Sequence, residues 1–252
     1  MADVWRMRES DLLHEDNHLL VVNKPSGIAT MGTAEGEPSV ARAAAEFLKE
    51  KYSKPGNAFV GIVSRIDRLV SGVLVLAKTS KAASRLSDQI RRQATTKRYL
   101  AWVEGDAMHM RKSSESVIVE DYVRKNEPKQ RMEVARGADG AQLARMRVYA
   151  HQRVGGRTLV ETELITGRKH QIRLQLASAG HPIVGDTKYG SNQKFRSPAA
   201  LPAIALHCKM TQIEHPTTRE ALSFEVSPKG LWQSLGGPAA DALDAAFGVQ
   251  PF

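Results

Sequence analysis

Cysteine is nearly absent: Cys208 is the only one in 252 residues. A lone thiol excludes an internal disulfide and a cysteine-rich zinc site, and it fits a reducing compartment, here taken as the cytoplasm. No run of about 18 apolar residues occurs, which excludes a membrane-spanning helix. The first ten residues hold acidic side chains and no apolar stretch, so they do not read as a secretory signal. Internal repeats, low-complexity linkers and a glycine-rich cofactor loop in a useful context are also missing.

What the chain has in surplus is positive charge. Lys and Arg number 36 against 27 Asp and Glu, a net charge of +9. That balance favours a polyanionic partner, nucleic acid or an acidic membrane surface. With 42% hydrophobic residues the chain can bury a sizeable core, as one large domain or two small ones.

The organising stretch is 61–79. Arg65-Ile66-Asp67-Arg68 is followed by Ser71-Gly72 and then by the apolar run 73–77. That run is short, bounded and rich in β-branched residues, so it reads as a strand buried on both faces. Asp67 lies just before it between two arginines, which favour its ionised form. On spacing alone Asp67 is either a well-held nucleophile or base, or a turn residue tethered by local hydrogen bonds.

Residues 1–17 read as a polar, extended lead-in and 18–22 as a short strand. The turn at 23–27 follows from Pro25 and Gly27, and its Lys24 either faces a phosphate or is solvated. A helix is expected over 38–52 with Val40, Ala44, Phe47 and Leu48 on one face, and another over 80–93 with Ala83, Leu86 and Ile90 inward. Tyr99, Ala101 and Val103 alternate with other residues as in a strand. The polar segment 106–140 carries many Lys and Arg and is expected to form a strand or two and a mobile loop. That loop is either an RNA clamp or a solvated face.

Strands over 144–151 and 158–164 form a hairpin around Gly155-Gly156. A helix is expected from near Arg168 to a C-cap at Gly180 with Pro182 beyond, its N-terminus able to receive an anion. Neither His170 nor His181 has metal-ligand spacing, and both read as structural. Strands over 203–210 and 221–226 flank a turn at His215-Pro216, and the Ala-rich tail, 237–252, is expected to pack weakly.

Several segments in order resemble the RluA-type pseudouridine synthases. Arg65-Ile66-Asp67-Arg68 with Ser71-Gly72 is similar to that family's catalytic signature, with Ser64 where His is usual, Ile66 for Leu and Val70 for Thr. Lys24-Pro25-Ser26-Gly27 fits its Lys-Pro-x-Gly element, and Lys97, Tyr99, Ala101, Val103 and Gly105 fall in register with its strand motif. A third block resembles 166–190: Thr166, Gly167, Arg168, His170, Gln171, Ile172, Arg173, Gly180, His181, Pro182, Gly185, Asp186, Tyr189 and Gly190 match, with Lys169 where Thr is usual. Leu206-His207 and His215-Pro216 are similar to its closing block.

The resemblance implies an α+β fold with a mixed, mainly antiparallel sheet and a central cleft flanked by helices. It implies one catalytic domain over 1–236, standing alone without the S4-like RNA-binding domain of some members. The activity implied is isomerisation of a uridine in structured ribosomal or transfer RNA, with no cofactor or metal. Asp67 would be the catalytic carboxylate and Arg65 would fill the space left by the extruded base. Tyr99 would stack on the uracil, Arg173 would pair with Asp67, and Arg168 would line the substrate site. A non-catalytic RNA-binding protein that kept the fold is the alternative. A small-molecule enzyme with an Asp–Arg pair does not account for the +9 charge.

Overall fold

The computed structural model describes residues 5–32, 37–112, 115–198 and 200–247. The outermost positions of the expected lead-in and tail, 1–4 and 248–252, lie outside them. In chain order the first elements are β1 (Leu12–Glu15), β2 (Leu19–Lys24), α1 (Val40–Lys51), β3 (Gly61–Ile62), β4 (Ser71–Ala77) and α2 (Ser80–Arg91). Next come β5 (Thr96–Glu104), β6 (Arg111–Lys112), β7 (Glu115–Asn126), β8 (Arg131–Ala135), β9 (Gln142–Val154) and β10 (Arg157–Leu164). The last are α3 (Gln171–Ser178), β11 (Leu206–Glu214), β12 (Ala221–Glu225) and α4 (Gly237–Phe247).

Two compact units emerge, one within Met1–Thr96 and Cys208–Ser227, the other within Lys97–His207 and Pro228–Phe252. In the first unit β4 is buried along its whole length, as its apolar run requires. It pairs antiparallel with β2 and β3 and neighbours β11, which carries β12 at its side. Gly72 opens β4 at φ +114°, and a Cβ there would lie 2.2 Å from the Cys208 carbonyl oxygen. The Ser-Gly pair is thus a steric demand of strand packing.

Both helices of this unit start at hydroxyl caps. The Ser39 side chain accepts from the Arg42 N–H, and Thr79 from the Ala82 N–H. Of the face expected for α1, Val40, Ala44 and Leu48 are buried and Phe47 is half-buried. In α2 the buried line is Ala82, Leu86 and Gln89, one position off the expected face at two of its three places. Gln89 is buried because its amide clamps Glu214, donating to its carbonyl at 2.8 Å and accepting from its N–H at 3.0 Å. The lead-in is extended at Leu12–Glu15, as expected, and there β1 pairs antiparallel with β2.

The second unit is an antiparallel run in the order β5-β10-β9-β7-β6, with β8 on β7. The polar stretch 106–140, expected to form a strand or two and a mobile loop, supplies three of these strands. Gly155 and Gly156 make the two-residue turn between β9 and β10, both with positive φ. Val123, Met132, Ala144, Leu174 and Tyr189 form one core cluster that fixes α3 against β7, β8 and β9. The tail differs from expectation. Residues 237–247 form α4, which packs on β9 and buries Ala239, Ala242, Leu243 and Ala246.

Candidate active site

The loop that carries Asp67 is pinned from both sides. Ile66 is buried, and its N–H and carbonyl both bond the Thr30 hydroxyl, at 3.2 and 2.8 Å. Arg68 donates from Nε to the Gly27 carbonyl at 2.9 Å, and the Gly27 N–H returns a bond to the Arg68 carbonyl at 2.7 Å. Asp67 closes the turn: its Oδ1 accepts from the Leu69 N–H and its carbonyl from the Val70 N–H, each at 3.1 Å. The side chain is half-buried, and its neighbours Arg65 and Arg68 are exposed. The local hydrogen bonds of the turn reading are thus present, and they restrict the rotamer of the Asp67 side chain.

Lys24 departs from both of its expected roles. It is wholly buried, because β2 runs through it and carries its stem into the core. Its Nζ donates to the carbonyls of Pro25 at 2.7 Å and Ile28 at 2.8 Å. Burial pushes its pKa down from 10.5 to about 7, while the nearby Asp67 carboxylate pulls the other way. The expectation of two arginines as the charges around Asp67 left this third cation out. A Lys-Pro turn read alone gives no sign that later segments will cover it.

In the second unit Tyr99 lies on β5, 6% exposed, opposite Thr162 of β10. The helix expected from near Arg168 begins at Gln171. His170 takes a left-handed conformation at φ 53°, which delays the start. Its end is as expected: the Gly180 N–H bonds the Ala177 carbonyl and the His181 N–H the Leu176 carbonyl, a Schellman closure. Arg168 is half-buried and donates from Nε to the Leu143 carbonyl at 2.9 Å, and its N–H bonds the Gln171 side chain.

Arg173 projects from α3 and is 3% exposed. It forms a two-pronged pair with Asp186: Nε to Oδ2 at 2.7 Å and one terminal nitrogen to Oδ1 at 2.6 Å. Its guanidinium carbon stands 5.0 Å from the centre of the Tyr189 ring. The Tyr189 hydroxyl in turn bonds His170 Nδ1 at 2.8 Å and accepts from the Met132 N–H at 3.2 Å. One ring nitrogen of His170 is thus bonded within the fold, in keeping with the expected structural reading. Asp186 belongs to a recognised motif, yet spacing gave it no role.

The family model for RNA pseudouridylate synthase matches residues 18–178. An uncharacterized RNA pseudouridine synthase of Bacillus subtilis is 36% identical over 220 residues, which is 86% of this chain and 68% of the relative. The ribosomal large subunit pseudouridine synthase C of Haemophilus influenzae is 33% identical over 221 residues, 87% of this chain and 65% of the relative. Its namesake in Escherichia coli is 32% identical over 218 residues, 85% and 65%. The chain thus spans about two thirds of the length of these relatives.

Two human structures share the fold. RNA pseudouridylate synthase domain containing 4 aligns with TM-score 0.68 at 22% identity, over 86% of this chain and 88% of that one. RNA pseudouridylate synthase domain containing 1 aligns with TM-score 0.66 at 21% identity, over 96% and 95%. They bear out the α+β fold with mostly antiparallel strands. The chain belongs to the RNA pseudouridylate synthase family.

Proposed function

We propose that the chain isomerises a uridine in RNA to pseudouridine, with Asp67 as the catalytic carboxylate. The observation that carries this reading is a carboxylate on a loop clamped through Thr30, Gly27 and its own turn, in the segment that resembles the family's catalytic signature. The reaction breaks the C1′–N1 glycosidic bond, turns the uracil and rejoins it through C5. Asp67 acts either by adding to the sugar or by taking a proton from it. Extruding the base costs about a few kcal/mol of unstacking. Arg65 fills the gap in the helix, Tyr99 stacks on the uracil, Arg173 orients Asp67, and Arg168 borders the substrate.

Ribosomal RNA is the substrate favoured over transfer RNA, because relatives above 30% identity are named for the large ribosomal subunit. The reading includes residues 1–236 acting as one catalytic domain in the cytoplasm. It is tested with transcribed large-subunit RNA, purified protein and mass-spectrometric counting of pseudouridine. Wild type is expected to form the product and Asp67→Asn to lose activity at least about 1,000-fold, a loss of about 4 kcal/mol in barrier lowering. Product formation by Asp67→Asn at the wild-type rate would refute the role of Asp67. RNA binding without any product from wild type would favour a non-catalytic protein.

A further inference from the structure

Resting on the reading that Arg173 serves Asp67, we propose that Asp186 is a positioning residue. It fixes the Arg173 guanidinium in one orientation and compensates its charge, so that Asp67 meets directed donors and not a bare cation.

The pair is built for this. Both partners are almost fully buried, at 3% and 1% exposed, and the two parallel bonds set the plane of the guanidinium as well as its distance. The carboxylate comes from a turn that is itself held. The Asp186 N–H bonds the Ile183 carbonyl at 2.9 Å, and its own carbonyl accepts from the N–H groups of Tyr189 and Ser191, both at 3.0 Å. Gly185 before it sits at φ +89°, where a Cβ would lie 2.6 Å from Phe195 Cβ, so the turn admits little else. Tyr189 confines the guanidinium from a second direction and is anchored by His170 and the Met132 N–H. Two held side chains, Asp186 and Tyr189, thus constrain one side chain of an eight-residue helix. A lone structural ion pair has no need of that many restraints.

The charge argument makes the inference specific. An uncompensated buried guanidinium would hold an adjacent carboxylate strongly in its ionised form and weaken it as a nucleophile or base. A guanidinium already neutralised by Asp186 orients without that penalty. The other titratable and charged groups concerned are His170 and Tyr189 beside the pair, and Lys24, Arg65 and Arg68 around Asp67. None of them is altered by a change at Asp186.

The experiment compares wild type, Asp186→Asn, Arg173→Gln, the double variant and Asp67→Asn on transcribed large-subunit RNA. For Asp186→Asn, kcat is expected to fall about 10- to 100-fold with KM near wild type, the scale of a misplacement near 1 Å. The acid limb of its pH–rate profile is expected to move to lower pH. In the Arg173→Gln background, Asp186→Asn is expected to add nothing, because Asp186 acts through Arg173. If Asp186→Asn alone does not fold, the comparison of Arg173→Gln with the double variant decides: equal rates support the proposal, and a further loss overturns it. Wild-type kcat and pH profile in Asp186→Asn, with Asp67→Asn inactive, would overturn the proposal alone. Activity retained by Asp67→Asn would overturn the underlying reading and the proposal with it.

Discussion

Lys24 is an amine held away from water beside a carboxylate. Burial takes its pKa from 10.5 down to about 7, against the opposing pull of Asp67. Between those values the unfolded chain keeps a proton that the folded chain has released. Stability therefore rises as pH increases from 7 toward 10.5, and below 7 the folded state carries a buried charge. Denaturant midpoints measured at pH 7 and pH 9.5 are expected to show this rise in wild type. Lys24→Met removes the titrating group and should flatten the difference, although it also leaves the Pro25 and Ile28 carbonyls without their donor and lowers stability at both pH values. An undiminished rise in the variant would show that other groups cause it. Asp67 obeys a simpler local rule, visible in sequence, since a short side chain after Ile66 can bond the N–H two residues on.

Among the elements, those with a strong period were legible and those with a weak one were not. The apolar run of β4, the capped faces of α1 and α2, the Gly-Gly hairpin and the Gly-Pro end of α3 each have a local cause, and each formed close to the expected limits. The start of α3 was misplaced because a left-handed His170 is a backbone event without a side-chain pattern. Asp186 and the buried Lys24 became meaningful only through contacts with distant segments, which no window of sequence contains. For α4 a signal was present. Positions 239, 242, 243 and 246 repeat at helical spacing, but alanine adds so little hydrophobicity that the stripe reads as a loose tail. Leu243 is a large side chain buried there, at 1% exposed. Leu243→Ala is expected to cost about 2–4 kcal/mol by chemical denaturation, as for other fully buried leucines. A change below about 0.5 kcal/mol, the range of surface substitutions, would restore the weakly packed tail.

For the molecule as a whole the informative quantity is its +9 charge and where the excess remains uncommitted. Many basic side chains are spent on acids: Arg124 on Glu133, Lys125 on Glu127, Arg145 on Glu120, and Arg98 and Arg147 on Glu163. The β7–β8 turn still gathers a surplus. Lys129 and Arg131 are exposed there, Lys188 binds the turn through the Gln130 carbonyl, and Lys169 lies near enough to lower the pKa of Glu127, after the stronger effect of Lys125. The basic segment is therefore an ordered hairpin rather than a loose loop, and it offers phosphates a fixed array. If RNA binding neutralises about four phosphates, the slope of log affinity against log salt is about −3, and affinity falls about 60-fold between 50 and 200 mM salt. Filter binding of a transcribed large-subunit RNA fragment measures this directly. Joint replacement of Lys129 and Arg131 by Glu is expected to lower affinity and to make the slope shallower by about 1 to 2. It should do so for RNAs of any sequence, because phosphates carry no base identity. An unchanged slope in that variant would remove the hairpin from the RNA-binding surface, and a flat response in wild type would remove the polyanion argument altogether.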